Sequence, residues 1–214
     1  MTAPARIRAF GDRALLVEPP RHVLDVTAWC LATAAALRRA EPASSVTVGL
    51  ASVLVAWEAP IRPVTARAAV QAALARPPAA GAHEPAARVH RLPSVYDGPD
   101  LPEVAARLGL SAAALVTRHR AAVWTVAALG FSPGFGYLVC DDELFLGVPR
   151  RSDPRRRVPA GSIAVAAGMC AVYPDATPGG WQLIGRCPAP LFDVAAVPPA
   201  LLAVGDQVRF VEDD

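Results

Sequence analysis

Arginine side chains crowd one short stretch of the sequence. Five of them fall within the eight residues from 150 to 157, directly before a Pro-Ala-Gly-Ser turn. A guanidinium can hold a carboxylate or a phosphate through two parallel N–H bonds, so this pattern predicts anion binding. We expect Arg150, Arg155 and Arg157 to take part, together with Arg186 at the end of a later Gly-Gly-Trp strand. The alternative is a solvated basic surface.

A second segment combines glycine, proline and aromatic residues between 130 and 137. Glycine lets the backbone turn sharply and approach a ligand, while aromatic rings can wall an apolar pocket. The expected pocket is shaped by the backbone at Gly134 and at the later turn formed by Gly161 and Ser162. Three rings of the first segment would line it: Phe131, Phe135 and Tyr137. The alternative is a tight loop packed by its own aromatic side chains.

His119, between Arg118 and Arg120, is the candidate catalytic residue, as a proton carrier. Its place late in a predicted helix suggests a surface or half-buried histidine, and the flanking arginines would favour its neutral form. Spacing alone reveals no Ser/His/Asp or Cys/His arrangement, because such partners meet only in the folded chain. The residues by themselves therefore predict an anion-binding site but no particular reaction.

Composition excludes several other chemistries. The chain has 21 basic residues, all arginine, and without lysine it can carry no Walker-type phosphate-binding lysine, Schiff-base lysine or biotinylated lysine. The four cysteines and four histidines are scattered, so we predict neither a metal site nor a disulfide scaffold. A net charge of +2 argues against nucleic-acid binding. With no signal peptide and no apolar run long enough for a membrane span, we expect a soluble cytoplasmic protein.

The elements expected to position these residues form an α+β protein of two domains. Residues 1–80 predict a small α/β domain of order ββαββα: hairpins at 6–17 and 46–57, and helices at 23–39 and 63–75. The Pro- and Ala-rich stretch Arg76–Ala87 is typical of a linker. Residues 84–214 predict a strand at 88–92, two short helices capped by Asp100 and Ser111, and then short strands typical of a β-barrel. Glu103 would complete a capping box with Asp100.

The ordered motifs resemble the family of the 5-oxoprolinase B subunit, which also includes allophanate hydrolase subunit 1 and a sporulation-kinase inhibitor. They are Gly-Asp-x-Ala-Leu at 11–15, Gly-Phe-x-Pro-Gly-Phe at 130–135, Pro-Arg-Arg at 149–151, Arg-Val-Pro-Ala-Gly-Ser at 157–162, Pro-Gly-Gly-Trp at 178–181 and Leu-Ile-Gly-Arg at 183–186. The resemblance implies that the second domain is a cyclophilin-like β-barrel. It also implies a C-type subunit of the same enzyme as partner and, in the bacterial 5-oxoprolinase, a third, A-type subunit that uses ATP.

By this resemblance the chain is one component of a complex that converts 5-oxoproline to glutamate, inactive alone and carrying no cofactor itself. Two alternatives come with the same family. Similar domains form the carboxyltransferase part of urea carboxylase, so one alternative is a component of an allophanate hydrolase/urea carboxylase-type system. The other is a regulatory binding protein, since a relative inhibits a sporulation histidine kinase. Met169, Cys170 and Ala171 replace the family's Gln-Thr-Gly, and the loop at 95–99 is shorter than usual. These departures leave the substrate open.

Overall fold

The computed structural model describes residues 4–41, 44–75 and 87–213. The chain divides into two compact units, residues 1–86 and 87–214. The linker predicted at Arg76–Ala87 lies outside the described residues except for its last position. Within the described ranges, no helix has the length and apolar character needed to cross a membrane.

The first unit is a four-stranded antiparallel sheet of order β1-β2-β4-β3 with two helices packed on it and on each other. Alternate residues of the central strands, such as Leu15 and Val17, are fully buried, as expected for strands with one face in a core. The elements are β1 (Arg6–Ala9), β2 (Ala14–Glu18), α1 (Val26–Ala40), β3 (Ser45–Val48), β4 (Val53–Ala56) and α2 (Pro63–Ala75). This confirms the predicted ββαββα order.

Helix α1 begins later than the sequence predicts because of its cap. The Asp25 carboxylate accepts a hydrogen bond of 2.8 Å from the backbone N–H of Ala28, one of the four orphan donors of the first turn. The helix therefore starts at Val26. Composition between 23 and 39 signals a helix but does not by itself show which polar residue caps it.

The second unit contains nine strands, two α-helices and a 3₁₀ turn at Glu143–Gly147 among its described residues. Its helices are α3 (Leu101–Arg107) and α4 (Ala112–Ala121). Its strands are β5 (Val89–Ser94), β6 (Trp124–Leu129), β7 (Gly136–Val139), β8 (Arg155–Val158), β9 (Ser162–Ala166), β10 (Met169–Val172), β11 (Thr177–Gly179), β12 (Gln182–Arg186) and β13 (Gln207–Glu212). The Ser111 hydroxyl caps α4 by accepting from the N–H of Ala114 at 3.1 Å, as predicted.

Seven strands form one sheet of order β12-β9-β10-β7-β6-β13-β5, with β13 and β5 parallel. The two ends of this sheet meet where Val95, just after β5, bridges Arg186 of β12 through backbone hydrogen bonds of 2.8 and 2.9 Å. Two glycines make this meeting possible. A Cβ on Gly98 would lie 2.3 Å from the carbonyl carbon of Ile184, and one on Gly185 would lie 2.4 Å from the Val95 oxygen. The sheet is a nearly closed barrel, which confirms the predicted fold class.

Side chains of this sheet alternate between two buried clusters. Ile163 and Val165 of β9 belong to the larger one, which also takes in residues of α3 and α4. Ala164 and Ala166, which alternate with them, belong to a smaller cluster rich in aromatic rings. Successive side chains of a strand point to opposite faces, so the two clusters lie on opposite faces of the sheet.

The two segments singled out for their arginines and for their glycines and aromatic rings contain regular structure. The arginine segment forms β8, which pairs with β11 in a separate two-stranded sheet, and β7 follows the glycine- and aromatic-rich turn. Both strands are four residues long. Such short strands are set by their partners in the sheet rather than by local sequence, which is why the Arg-rich pattern of β8 does not reveal a strand.

Candidate functional site

Five aromatic side chains gather on one face of the barrel sheet, and we call them the aromatic cluster: Phe131, Phe135, Tyr137, Tyr173 and Trp181. Phe135 is at its centre, with ring centroids 5.1 Å from Phe131, 5.1 Å from Tyr137, 5.3 Å from Tyr173 and 6.0 Å from Trp181. All these pairs meet edge to face, an arrangement that aromatic rings favour. The small side chains of Ala164, Ala166 and Ala171 belong to the same buried cluster.

The structure thus brings together the three predicted pocket rings and adds two more. Tyr173 follows β10 and Trp181 precedes β12, and neither ring is among the site residues predicted from the sequence. The alternative for residues 130–137 is a tight loop packed by its own aromatic side chains. It holds only in part, because the loop also packs against Tyr173 and Trp181 from elsewhere in the chain. Their separation of about forty residues from Phe135 hides the contact in the sequence.

Phe131 stands out by its backbone. Its φ is +70°, in the left-handed region that residues other than glycine rarely adopt, and its side chain is 59% exposed. An exposed aromatic ring in such a conformation lacks the burial that usually offsets backbone strain. Strain of this kind clusters at ligand sites. Phe131 is thus the exposed ring with a left-handed backbone at the edge of the aromatic cluster.

Two predicted pocket glycines approach other parts of the chain. A Cβ on Gly134, whose φ is +78°, would lie 2.8 Å from the Phe192 Cβ. One on Gly161, with φ of +79°, would lie 2.6 Å from the Cys187 oxygen. The Ser162 hydroxyl donates to the carbonyl of Pro159 at 2.8 Å. In this structure these residues hold the turns against neighbouring segments.

The four predicted anion-binding arginines have different surroundings. The Arg150 guanidinium lies 5.9 Å from the centre of the Trp181 ring, within cation–π range. Arg186 donates from Nε to Asp97 at 2.7 Å in an exposed pair. The Arg157 side chain is exposed and has no hydrogen bond or ion pair to the described part of the chain. Arg155 also forms an ion pair, and its side chain is 22% exposed, against 58% for that of Arg186.

Asp100 is the carboxylate that holds Arg155, although its sequence position suggests a helix cap. One of its oxygens accepts from Arg155 Nη2 at 2.7 Å and from Arg151 Nη1 at 3.4 Å, and the other accepts from the N–H of Leu183 at 2.7 Å. Although Asp100 stands at the start of α3, its side chain makes no capping bond, so the predicted capping box with Glu103 is wrong. Charged donors 51 and 55 residues away outcompete the local N–H groups.

Several polar atoms beside these residues lack partners. Arg155 Nη1, the Thr177 hydroxyl and the Ser132 hydroxyl are buried without a hydrogen bond in the described structure. The Tyr173 hydroxyl lies so close to Gly179 that a Cβ on this glycine would be 2.3 Å from the hydroxyl oxygen. Gly179 is the cross-strand neighbour of Arg155. Burial raises the pKa of Tyr173. The positive charge of Arg150, and to a smaller extent that of Arg155, offsets part of this rise in pKa. The Tyr173 phenol thus lies against the cross-strand neighbour of Arg155.

His119 lies on the opposite face, which corrects the expected surface or half-buried position. It is fully buried among the rings of Trp124, Phe145 and Phe210. Its Nδ1 is 2.8 Å from the Tyr96 hydroxyl and its Nε2 is 3.3 Å from Cys170 Sγ. Burial, not the flanking arginines, lowers the pKa of His119 to about 3. The neutral ring therefore serves here as a packed, hydrogen-bonded core residue.

The described residues contain no group of three or more His, Cys, Asp or Glu side chains that could hold a metal ion. The cysteines at 30, 140, 170 and 187 are free thiols. Burial raises the pKa of each, and of Cys170 most clearly, so none has the environment of a reactive thiolate. The polar groups at and beside the aromatic cluster are guanidiniums and hydroxyls.

Comparison with known proteins gives this fold and site a family. The model of the carboxyltransferase domain, subdomain C and D, matches residues 5–202. The chain belongs to this carboxyltransferase-domain family. The motif resemblance is confirmed, since a similar protein is the 5-oxoprolinase B subunit of Escherichia coli O157:H7, with 50% identity over 131 residues. That match spans 60% of this chain and 60% of the relative's length.

Solved structures agree with this assignment. The crystal structure of TTHA0988 is similar with a TM-score of 0.76 at 33% identity, over 94% of this chain and 40% of that one. The Kluyveromyces lactis urea carboxylase superposes with a TM-score of 0.72 at 18% identity over 97% of this chain and 22% of its own, a likeness in fold alone. The family member described here thus corresponds to a part of both longer chains.

Proposed function

We propose that the chain is one component of an ATP-dependent 5-oxoprolinase-type complex and that its aromatic cluster, with Arg150 and Arg155, binds 5-oxoproline. The observation that carries this proposal is that the edge-to-face rings adjoin two arginines: the Arg150 guanidinium lies over Trp181, and the Tyr173 hydroxyl lies against Gly179, the cross-strand neighbour of Arg155. 5-Oxoproline is a small flat lactam with a carboxylate, so it presents an apolar ring face and an anion together. Rings and guanidiniums are the matching protein groups.

The name of the E. coli relative, a 5-oxoprolinase subunit, supports the reaction. Opening the lactam requires an attacking water and an activated amide, and in the proposed complex ATP supplies the activation. The chain has no lysine for a Walker-type phosphate site, so we assign the ATP chemistry to the A-type subunit. The role of this chain is then to bind and orient the substrate for groups on its partners.

A C-type subunit is the proposed direct partner. Supporting it are the word subunit in the relative's name and the apolar side chains that this chain leaves exposed, among them Val194 and Val197 at 86% and 98%. Obligate interfaces are more apolar than ordinary surface. Light scattering of the two purified proteins, alone and mixed, tests the pairing. A mixed mass equal to the sum supports it, and two unchanged masses contradict it.

The function itself is tested by reconstitution. The chain is combined with the C-type and A-type proteins, and glutamate formation from 5-oxoproline is measured together with ADP release. We expect glutamate only when ATP and all three proteins are present. Equal glutamate formation without this chain would overturn the proposal, as would ADP release that does not depend on 5-oxoproline.

A further inference from the structure

We propose that Arg155 binds the substrate carboxylate through its free Nη1 and that Asp100 is the residue that positions Arg155 for this contact. The inference rests on the proposed function, because it names the atoms of that same site. It assigns the direct hydrogen bond to the carboxylate to Arg155, one of the five arginines in the segment 150–157. It also gives a role to a carboxylate whose sequence position suggests only a helix cap.

The Asp100 side chain is built into the fold. It is 6% exposed, and its bond to the N–H of Leu183 ties it to β12 while its own N–H donates to the Leu183 carbonyl at 3.0 Å. The second carboxylate oxygen is thus held still and faces the guanidiniums. Charge-assisted bonds of 2.7 Å are short and directional, so Arg155 Nη2 has little freedom to leave it. This bond holds the Arg155 guanidinium beside Asp100.

One side of that guanidinium remains unused. Nη1 is buried and has no acceptor in the described residues, although buried N–H groups of native proteins nearly always have one. An unpaired buried donor on a cation is costly, and a carboxylate oxygen of a ligand would satisfy it. The hydroxyl of Thr177, the cross-strand neighbour of Val158 at the other end of β8, is a second buried polar group without a partner in the described residues.

The local charge also selects an anion. Arg151 and Arg155 share the single carboxylate of Asp100, which leaves one positive charge uncompensated at this point. Arg150, stacked on Trp181, adds another, since it has no ion pair within the described ranges. A carboxylate entering beside Tyr173 would therefore meet two cations and a phenol. An uncharged lactam would gain much less from the charges than a carboxylate does.

Calorimetric titration of the full chain tests the assignment to Arg155. The ligands are 5-oxoproline and 2-pyrrolidinone, which has the same ring without the carboxylate. In Arg155→Lys the planar donor is lost and we expect 5-oxoproline binding to weaken about ten- to a hundred-fold, with 2-pyrrolidinone unaffected. Arg156→Lys is the matched control on the same strand, at an exposed side chain, and should bind both as the wild type does. Unchanged 5-oxoproline binding in Arg155→Lys would overturn the assignment, and so would a wild-type chain that prefers 2-pyrrolidinone or binds neither.

A double-mutant cycle tests the positioning role of Asp100. Asp100→Asn should weaken 5-oxoproline binding nearly as much as Arg155→Lys does, again without changing the binding of 2-pyrrolidinone. If Asp100 acts through Arg155, adding Asp100→Asn to Arg155→Lys should cost less than about a further twofold, because coupled residues are not additive. A merely structural role would weaken both ligands and multiply the two effects. Either of those results would remove Asp100 from the site.

The two proposals can fail separately. Binding that follows this pattern in a complex that forms no glutamate would leave a carboxylate site and refute the 5-oxoprolinase function. Conversely, glutamate formation that depends on the chain, with a wild-type KM in Arg155→Lys, would keep the function and refute this inference.

Discussion

The buried histidine makes the stability of the second unit depend on pH. His119 has a pKa of about 3 in the folded chain, because burial disfavours its charged form, against 6.5 when exposed. Below pH 6.5 the unfolded chain binds a proton that the folded chain refuses. Stability is therefore complete above pH 6.5 and falls as the pH drops towards 3. One pKa unit corresponds to about 1.4 kcal/mol, so the loss at pH 5 is about 2 kcal/mol.

Urea unfolding between pH 5 and 8 measures this loss, with hydrogen exchange of β6 and β10 used to follow the second unit alone. The control is His119→Gln, which keeps a polar side chain but cannot titrate. We expect its free energy of unfolding to be lower at every pH, since Gln fills the site poorly, and the additional drop of about 2 kcal/mol between pH 8 and 5 to disappear. An equal drop in wild type and variant would refute the reasoning, because the proton would then bind elsewhere.

Two further predictions concern barrel closure and a second buried charge. Gly98→Ala should lower the free energy of unfolding of the second unit by about 1–3 kcal/mol or more in urea, because the new Cβ would meet the β12 backbone. Gly130→Ala is the control and should change this free energy little, since the nearest atom to its Cβ is 3.9 Å away. Equal effects of the two substitutions would contradict the close approach. The Asp206 carboxylate accepts hydrogen bonds from His90 Nε2 at 2.8 Å and from the backbone N–H groups of Arg88 and Ala203. Burial raises the pKa of Asp206, but these hydrogen bonds lower it more, so the net pKa lies below the usual 3.8. Asp206→Asn should lower the free energy of unfolding by about 1–3 kcal/mol at pH 7, and this difference from the wild type should shrink only below about pH 4. A difference that already shrinks between pH 7 and 5 would contradict this assignment.

Local signals in the sequence predict much of the fold. The Gly11-Asp12 turn between two apolar runs predicts the first hairpin, and Pro63 and Ser111 predict the starts of two helices. Each of these features depends on a few neighbouring residues, whose propensities and hydrogen bonds are set along the chain. The motifs around Phe135 and the arginine segment likewise mark the region in which the aromatic cluster forms.

Contacts between residues that are far apart in the sequence could not be predicted from it. Asp100 precedes an apolar helix at the position of a cap, and nothing nearby shows that Arg151 and Arg155 will claim its carboxylate. His119 sits between two arginines, a context typical of a surface, yet the periodicity of α4 turns it inward while both arginines remain at the rim. In both cases tertiary packing overrides a local preference.

The claim that the aromatic cluster binds 5-oxoproline can be tested most directly by NMR of the tryptophan indoles. The chain has four tryptophans, of which Trp181 belongs to the cluster and Trp124 lies on the opposite face with its indole N–H bonded to the His119 carbonyl at 3.2 Å. In a 15N-labelled chain titrated with 5-oxoproline, we expect the Trp181 indole signal to shift in a saturable way and the Trp124 signal to stay in place. A shift confined to the other tryptophans, or no shift at saturating ligand, would contradict the proposed site.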